Sequence, residues 1–164
     1  MTAFPEHLLS KTEDLLNTCR SKGLRIATAE SCTGGLIAGC LTAVAGSSDV
    51  VERGFITYSN ASKQELLGVQ EGLILEHGAV SEPVARAMAE GAIDRSHAQL
   101  GVAITGIAGP SGATEIKPVG LVHIAAARAG RETSHRRHVL EGDREAIRMQ
   151  SIDAALDLLF RQAG

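Results

Sequence analysis

Thr28-Ala29-Glu30-Ser31-Cys32-Thr33-Gly34-Gly35 lies between an apolar strand-like run with Leu24, Ile26 and Ala27 and an apolar helix-like run with Leu36, Ile37, Ala38, Leu41, Ala43 and Val44. Strand, polar turn, helix is the order this implies, with hydroxyls at the carboxyl end of the strand. There the next helix offers unpaired N–H groups and the positive end of its dipole. Gly34 and Gly35 let backbone or ligand approach without a Cβ in the way. A Ser-x-Thr at this place also reads as a helix cap, so the stretch sets a β-turn-α unit and leaves its chemistry to the rest of the chain.

Working outward, an amphipathic segment from Pro5 to Ser21 carries Leu8, Leu15, Leu16 and Cys19 at roughly helical spacing. Lys22-Gly23 ends it. The first strand is Leu24 to Ala29, and the helix after Thr33 runs to the break at Ala45-Gly46. A second strand spans about Val50 to Tyr58, followed by a short helix from Ala61 to Leu67 and a shorter element at Leu73 to Glu76. Ser81-Glu82-Pro83 starts a longer helix, since Ser supplies a cap acceptor and Pro is tolerated in the first turn. Leu100 to Thr105 is near-continuously apolar, as a central strand covered on both faces requires. Val119 to Ala127 and Glu132 to Leu140 read as an antiparallel pair joined at Ala129-Gly130, and a last helix runs from Asp143 to about Arg161. The alternation predicts a three-layer α/β/α sandwich around one mixed, mostly parallel sheet of about five strands. At 164 residues it reads as a single domain, 1–164.

Composition narrows the function classes. With 44% hydrophobic and 21% charged residues the chain is neither disordered nor fibrous. Its apolar runs stop short of the roughly 18 residues that span a bilayer, and His7, Lys11, Glu13 and Asp14 interrupt any signal-peptide core. Cys19, Cys32 and Cys40 form no C-x-x-C pair; a reducing, cytoplasmic setting is expected, with no membrane partner. A net charge of −3 gives no general basic surface, and Phe4, Phe55, Tyr58 and Phe160 are too few for base-stacking platforms, so nucleic acid is not an expected partner.

Three polar or Gly-rich segments should converge at the carboxyl edge of the sheet: Glu30 to Gly35, Tyr58 to Lys63, and Thr105 to Gly112. No His falls in them, which leaves Ser-His-Asp chemistry unsupported. Lys63, one of four lysines, is the candidate base for Ser31. That role requires its pKa to fall from ~10.4 towards ~7–8, about 4 kcal/mol of desolvation or like-charge pressure. Tyr58 could bond the amine or relay its proton. Taken alone, Lys63 also reads as a solvated lysine. Cys32 is an alternative nucleophile, less favoured than Ser31. Thr105-Gly106-Ile107-Ala108-Gly109-Pro110-Ser111-Gly112 resembles a backbone cradle for an anion but matches neither a P-loop nor a dinucleotide fingerprint. Arg144 and Arg148, at i and i+4 in the last helix, oppose its dipole, a placement an anion site would tolerate. His135 to His138 reads as a charged protective edge, and His123 as a satisfied strand histidine.

Ala29-Glu30-Ser31-Cys32-Thr33-Gly34-Gly35, Gly54 through Lys63, Thr105-Gly106-Ile107-Ala108-Gly109-Pro110 and Lys117-Pro118-Val119-Gly120 together resemble the C-terminal domain of the competence/damage-inducible CinA proteins, nearly end to end. The resemblance implies a nicotinamide-nucleotide amidase, acting on a small pyridine nucleotide without metal or other cofactor, with Ser31 as nucleophile and Tyr58 and Lys63 as its activating partners. Expected substrate contacts are Glu30, Thr33, Gly34, Gly35, Asn60, Thr105, Gly106, Ala108, Gly109, Arg144 and Arg148. Gly112-Ala113 departs from the Gly pair expected there, and the pyrophosphatase-like N-terminal region of CinA is not expected in this chain. The Ala- and Gly-rich helix from Leu36 to Gly46 could serve core or interface, and a homo-oligomer is expected. The competing reading is a non-catalytic nucleotide-binding or protein-interaction module, against which Tyr58 and Lys63 together weigh, since a phosphate grip needs neither beside a serine.

Overall fold

The computed structural model describes residues 3–164. Its elements follow the expected order: α1 (Glu6–Lys22), β1 (Ile26–Glu30), α2 (Leu36–Thr42), a 3₁₀ turn (Ser47–Asp49), β2 (Val51–Ile56), α3 (Asn60–Leu67), α4 (Glu71–His77), α5 (Glu82–Asp94), β3 (Leu100–Gly106), β4 (Leu121–Arg128), β5 (Ser134–Val139) and α6 (Arg144–Ala163). The sheet runs β2-β1-β3-β4-β5. β1 is parallel to both β2 and β3, while β3/β4 and β4/β5 are antiparallel, so β4 runs against the other strands. The three-layer sandwich around a mixed sheet is therefore the architecture observed.

Side-chain size along the strands separates the two layers. One sheet face carries Ile26, Val102, Ile104, Val122 and Ile124 and packs with residues of α1, α2 and α6, among them Leu8, Leu15, Ile37, Leu41, Ile152 and Leu159. The other carries Ala27, Ala29, Ala103, Ala125 and Ala127 and packs under Val84, Met88, Ala89 and Ala92 of α5. Because β residues alternate between faces, a period-two pattern of large and small residues gives one deep face and one close one. Gly101 on β3 shows how close: a Cβ there would lie 2.6 Å from the Ala89 carbonyl oxygen.

Several boundaries differ from the sequence reading, each for a local reason. β1 starts two residues later than expected because Gly23, at φ 65°, closes α1 with N–H bonds from Gly23 to Arg20 O and from Leu24 to Cys19 O, which places Leu24 in the cap. α2 begins at Leu36 and ends at Thr42, shorter than expected, since Gly34 and Gly35 have φ of 57° and 105° and the chain leaves the helix well before Gly46. The hairpin turn is centred on Ala129-Gly130, closed by Arg131 N–H to Arg128 O, but the loop extends to Thr133. Ser59, Ser81 and Asp143 cap α3, α5 and α6.

β5 is an edge strand, and exposed Arg136 and Arg137 charge it as expected. His123 is nearly buried, its Nδ1 2.9 Å from His135 Nε2, and burial pushes its pKa down to about 4, with the charges around His135 and Arg137 adding to the effect. Cys19, Cys32 and Cys40 are free and buried, and no helix among the described residues is long and apolar enough to cross a membrane.

The same substitution should have opposite signs at two glycines. Gly101→Ala, which drives a methyl against α5, should cost about 1–3 kcal/mol. Gly72→Ala in α4, where nothing lies within 4 Å of the added carbon, should be neutral or stabilise by up to ~1 kcal/mol. Thermal denaturation of both variants checks the pair.

Candidate active site

The ends of β1, β2 and β3 are held level by two bonds beyond the strands. Thr57 N–H donates to Glu30 O at 2.8 Å, and Ser31 N–H to Ile104 O at 3.0 Å. Ser31 therefore stands at the centre of the carboxyl edge, half-buried. Lys63, four residues into α3, bends back beneath this edge and is 1% exposed. Its Nζ lies 3.1 Å from Ser31 Oγ, 2.7 Å from the Thr57 carbonyl and 3.5 Å from the Tyr58 carbonyl. No carboxylate pairs with it among the described residues. Burial pushes its pKa below the ordinary 10.5, against a smaller raising effect from Cys32. The amine thus has three neighbours within hydrogen-bond reach, two carbonyls and one hydroxyl, and none of them supplies a counter-charge.

The turn after Ser31 is fixed from two sides. Glu30, 1% exposed, accepts from Thr33 Oγ1 at 2.7 Å, Ile37 N–H at 2.9 Å and Ala38 N–H at 3.2 Å. The start of α2, expected to face a ligand, is thus capped by the protein's own carboxylate, and Glu30 is a positioning group in this geometry. From α6, Arg148 donates through Nε to Cys32 O and through Nη2 to Thr33 O, each at 3.1 Å. Cys32 packs into the core of the α1/α2/α6 layer, and burial raises its thiol to about 11. Of the two adjacent candidates, Ser31 faces the lysine.

At the outer rim Arg144 donates to Gly109 O at 2.9 Å and to the Tyr58 hydroxyl at 3.0 Å. The Tyr58 phenol thus meets Arg144, and its contact with Lys63 is made by the main-chain carbonyl; this differs from the phenol-amine bond considered from sequence. Neither Arg144 nor Arg148 has an acidic partner among the described residues. Gly109 and Gly112 adopt φ of 78° and 97°, the left-handed geometry expected of a cradle. Gly106 ends β3 opposite Val122, Ala108 is buried, and Asn60 is exposed at the start of α3. The Thr105 hydroxyl donates to Ala79 O at 2.9 Å, so Thr33 and Thr105 both have their hydroxyls engaged within the protein.

The three segments do converge. What sequence reasoning missed is the Thr57 carbonyl that seats the amine and the Ala79 carbonyl that holds Thr105. Backbone acceptors carry no residue-type signal, and only their position within two residues of Tyr58 and Ser81 could have suggested them. Among the described residues no three His, Cys, Asp or Glu side chains gather as metal ligands.

Known proteins are similar to this chain in sequence and in fold. The CinA C-terminal domain matches residues 9–163. The chain is 46% identical over 155 residues to the nicotinamide-nucleotide amidohydrolase PncC of Escherichia coli (strain K12), covering 94% of each. It is 54% identical over 142 residues to a CinA-like protein of Syntrophobacter fumaroxidans, covering 87% of this chain and 33% of that relative, so it spans about a third of the longer protein. The crystal structure of the competence/damage inducible protein CihA from Agrobacterium tumefaciens superposes with a TM-score of 0.97 at 43% identity, covering both chains fully. The chain belongs to the CinA C-terminal domain family.

Proposed function

We propose that this chain is a nicotinamide-nucleotide amidase that hydrolyses the carboxamide of nicotinamide mononucleotide to nicotinate mononucleotide and ammonia through an ester on Ser31. The observation that carries the reading is the 3.1 Å approach of a buried lysine without a counter-ion to a serine hydroxyl. Support for the substrate comes from the E. coli amidohydrolase, matched over 94% of both chains.

In this mechanism the neutral Lys63 amine takes the Ser31 proton as Oγ adds to the amide carbonyl. The resulting ammonium gives a proton to the departing nitrogen, and ammonia leaves. Water then adds to the ester with Lys63 again as base, releasing the acid and restoring the hydroxyl. The Thr57 and Tyr58 carbonyls hold the amine's N–H groups so that its lone pair faces Ser31, which is how Tyr58 acts as an activating partner. N–H groups of the Thr33–Gly35 turn stabilise the oxyanion, a contribution of ~3–4 kcal/mol where donors meet it well. Gly34 N–H already donates to Ser31 O at 3.0 Å, which leaves Thr33 and Gly35. The 105–112 loop and Arg144, with Asn60 at the mouth, receive the ribosyl phosphate.

Ammonia release from nicotinamide mononucleotide, with chelator present, tests the reading. Wild-type protein should turn over. Ser31→Ala and Lys63→Met should each lose ~10³-fold or more in kcat, and the double variant should be little worse than either, because the two groups act as one unit. Activity equal to wild type in folded Ser31→Ala protein would overturn the mechanism. Nicotinamide and its riboside should be poorer substrates than the mononucleotide, chiefly through KM, if the phosphate is gripped as described.

The lowered Lys63 pKa has a sign that can be checked twice. Catalysis needs the unprotonated amine, so kcat/KM should rise with pH and level off below the ordinary lysine value of 10.5. In stability the folded state binds fewer protons than the unfolded chain between the depressed pKa and 10.5, so stability should rise with pH across that window. Lys63→Met should flatten this slope in chemical denaturation measured as a function of pH.

A further inference from the structure

Thr33 is held at every polar atom but one. Its hydroxyl donates to Glu30 Oε1 at 2.7 Å. Its carbonyl accepts Leu36 N–H and Arg148 Nη2, each at 3.1 Å. The Cys32 carbonyl, the other half of the peptide unit that bears the Thr33 N–H, accepts Arg148 Nε at 3.1 Å. The Thr33 N–H itself meets no protein acceptor among the described residues. It lies two residues after Ser31, on a turn in which the Ser31, Cys32 and Thr33 carbonyls and the Gly34 N–H are bonded within the protein.

A carbonyl oxygen that accepts from a cation draws electron density through the conjugated amide, which makes the N–H of that same peptide unit a stronger donor. Arg148 does this to the peptide between Cys32 and Thr33, and it does so from α6, a 20-residue helix packed on the sheet. Both guanidinium contacts are to main-chain carbonyls of the nucleophile turn, and no carboxylate neutralises the charge among the described residues.

We infer that Arg148 is a positioning residue for the oxyanion: it fixes and polarises the Cys32–Thr33 peptide so that Thr33 N–H meets the oxygen that turns negative when Ser31 adds to the substrate, while Glu30 holds Thr33 from the opposite side. The inference rests on the reactive-serine reading of the site and replaces the substrate contact expected of Arg148 from sequence. The two roles differ in kinetics. A phosphate ligand binds ground state and transition state alike, raises KM when lost, and matters for phosphorylated substrates alone. A residue acting on the oxyanion donor lowers kcat for every substrate.

The test uses full-length wild type, Arg148→Lys and Arg148→Ala. The first readout is the rate at which an uncharged dialkyl fluorophosphate labels Ser31, followed by intact mass; the serine oxygen bonds to phosphorus as its proton passes to Lys63, fluoride leaves, and the phosphoryl oxygen needs the same donor. Arg148→Ala should label ~10–100-fold more slowly. Guanidinium ion added in solution should restore much of that rate, and sodium chloride at equal ionic strength should not. Arg148→Lys, which keeps the charge without the planar fork, should fall between. With nicotinamide mononucleotide and with its riboside, Arg148→Ala should lower kcat by similar factors and leave KM within about threefold. Labelling at the wild-type rate in both variants, a loss confined to KM for the phosphorylated substrate, or a loss in Arg148→Ala that guanidinium fails to restore would each overturn the inference. A wild-type protein whose Ser31 resists labelling would overturn the reactive-serine reading and the inference with it. Labelling without ammonia release would overturn only the choice of substrate, and the labelling rates would still decide the role of Arg148.

Discussion

An amine removed from water without a counter-ion is the constraint around which this site is built. Lys63 is enclosed between α3 and the strand ends, and what it meets there are two carbonyls and a hydroxyl. A carboxylate in the same place would have held the proton on nitrogen; desolvation without compensation does the reverse. The arrangement costs stability, because the unfolded chain protonates this lysine freely. The rest of the domain must supply that free energy through its two packed faces.

Those faces also set the geometry. Alanines and a glycine on one side of the sheet let α5 approach closely, while large β-branched residues on the other side hold α1, α2 and α6. α6 then reaches the turn that follows β1 across a separation of 115 residues, through Arg148 and Thr33. The turn after Ser31 is completed only when the last helix docks, so its geometry is a property of the whole fold rather than of the β1-turn-α2 unit. Glu30 provides the local half of the same grip by capping α2 from the end of the strand.

Much of this was legible in residue order. The alternation of periodicities placed every helix and strand, and the polar segments at Ser31, Tyr58–Lys63 and Thr105–Gly112 were recognisable as one edge because parallel strands deliver their carboxyl ends together. Misplaced boundaries came from caps: Leu24 looks like strand and lies in a helix-closing bond, and the apolar run after Gly35 looks like a long helix and stops at Thr42. Roles were harder to read than positions. Glu30, Thr33 and Thr105 stand where ligand contacts were expected, yet their side chains are turned to the protein. The Tyr58 phenol meets Arg144 instead of the amine.

The sequence by itself determined the α/β/α order, the charged outer strand, and the meeting of a serine and a lysine at one edge, because periodicity and residue type govern which faces are buried and which strand ends align. Only the tertiary structure decided that Ser31 and not Cys32 faces Lys63, that the lysine is seated on the carbonyls of Thr57 and Tyr58, and that Arg148 braces the turn after Ser31. Those are contacts to main-chain atoms or between residues far apart in the chain. A carbonyl oxygen is the same atom in every residue, and it acquires a role only when the fold brings a donor to it.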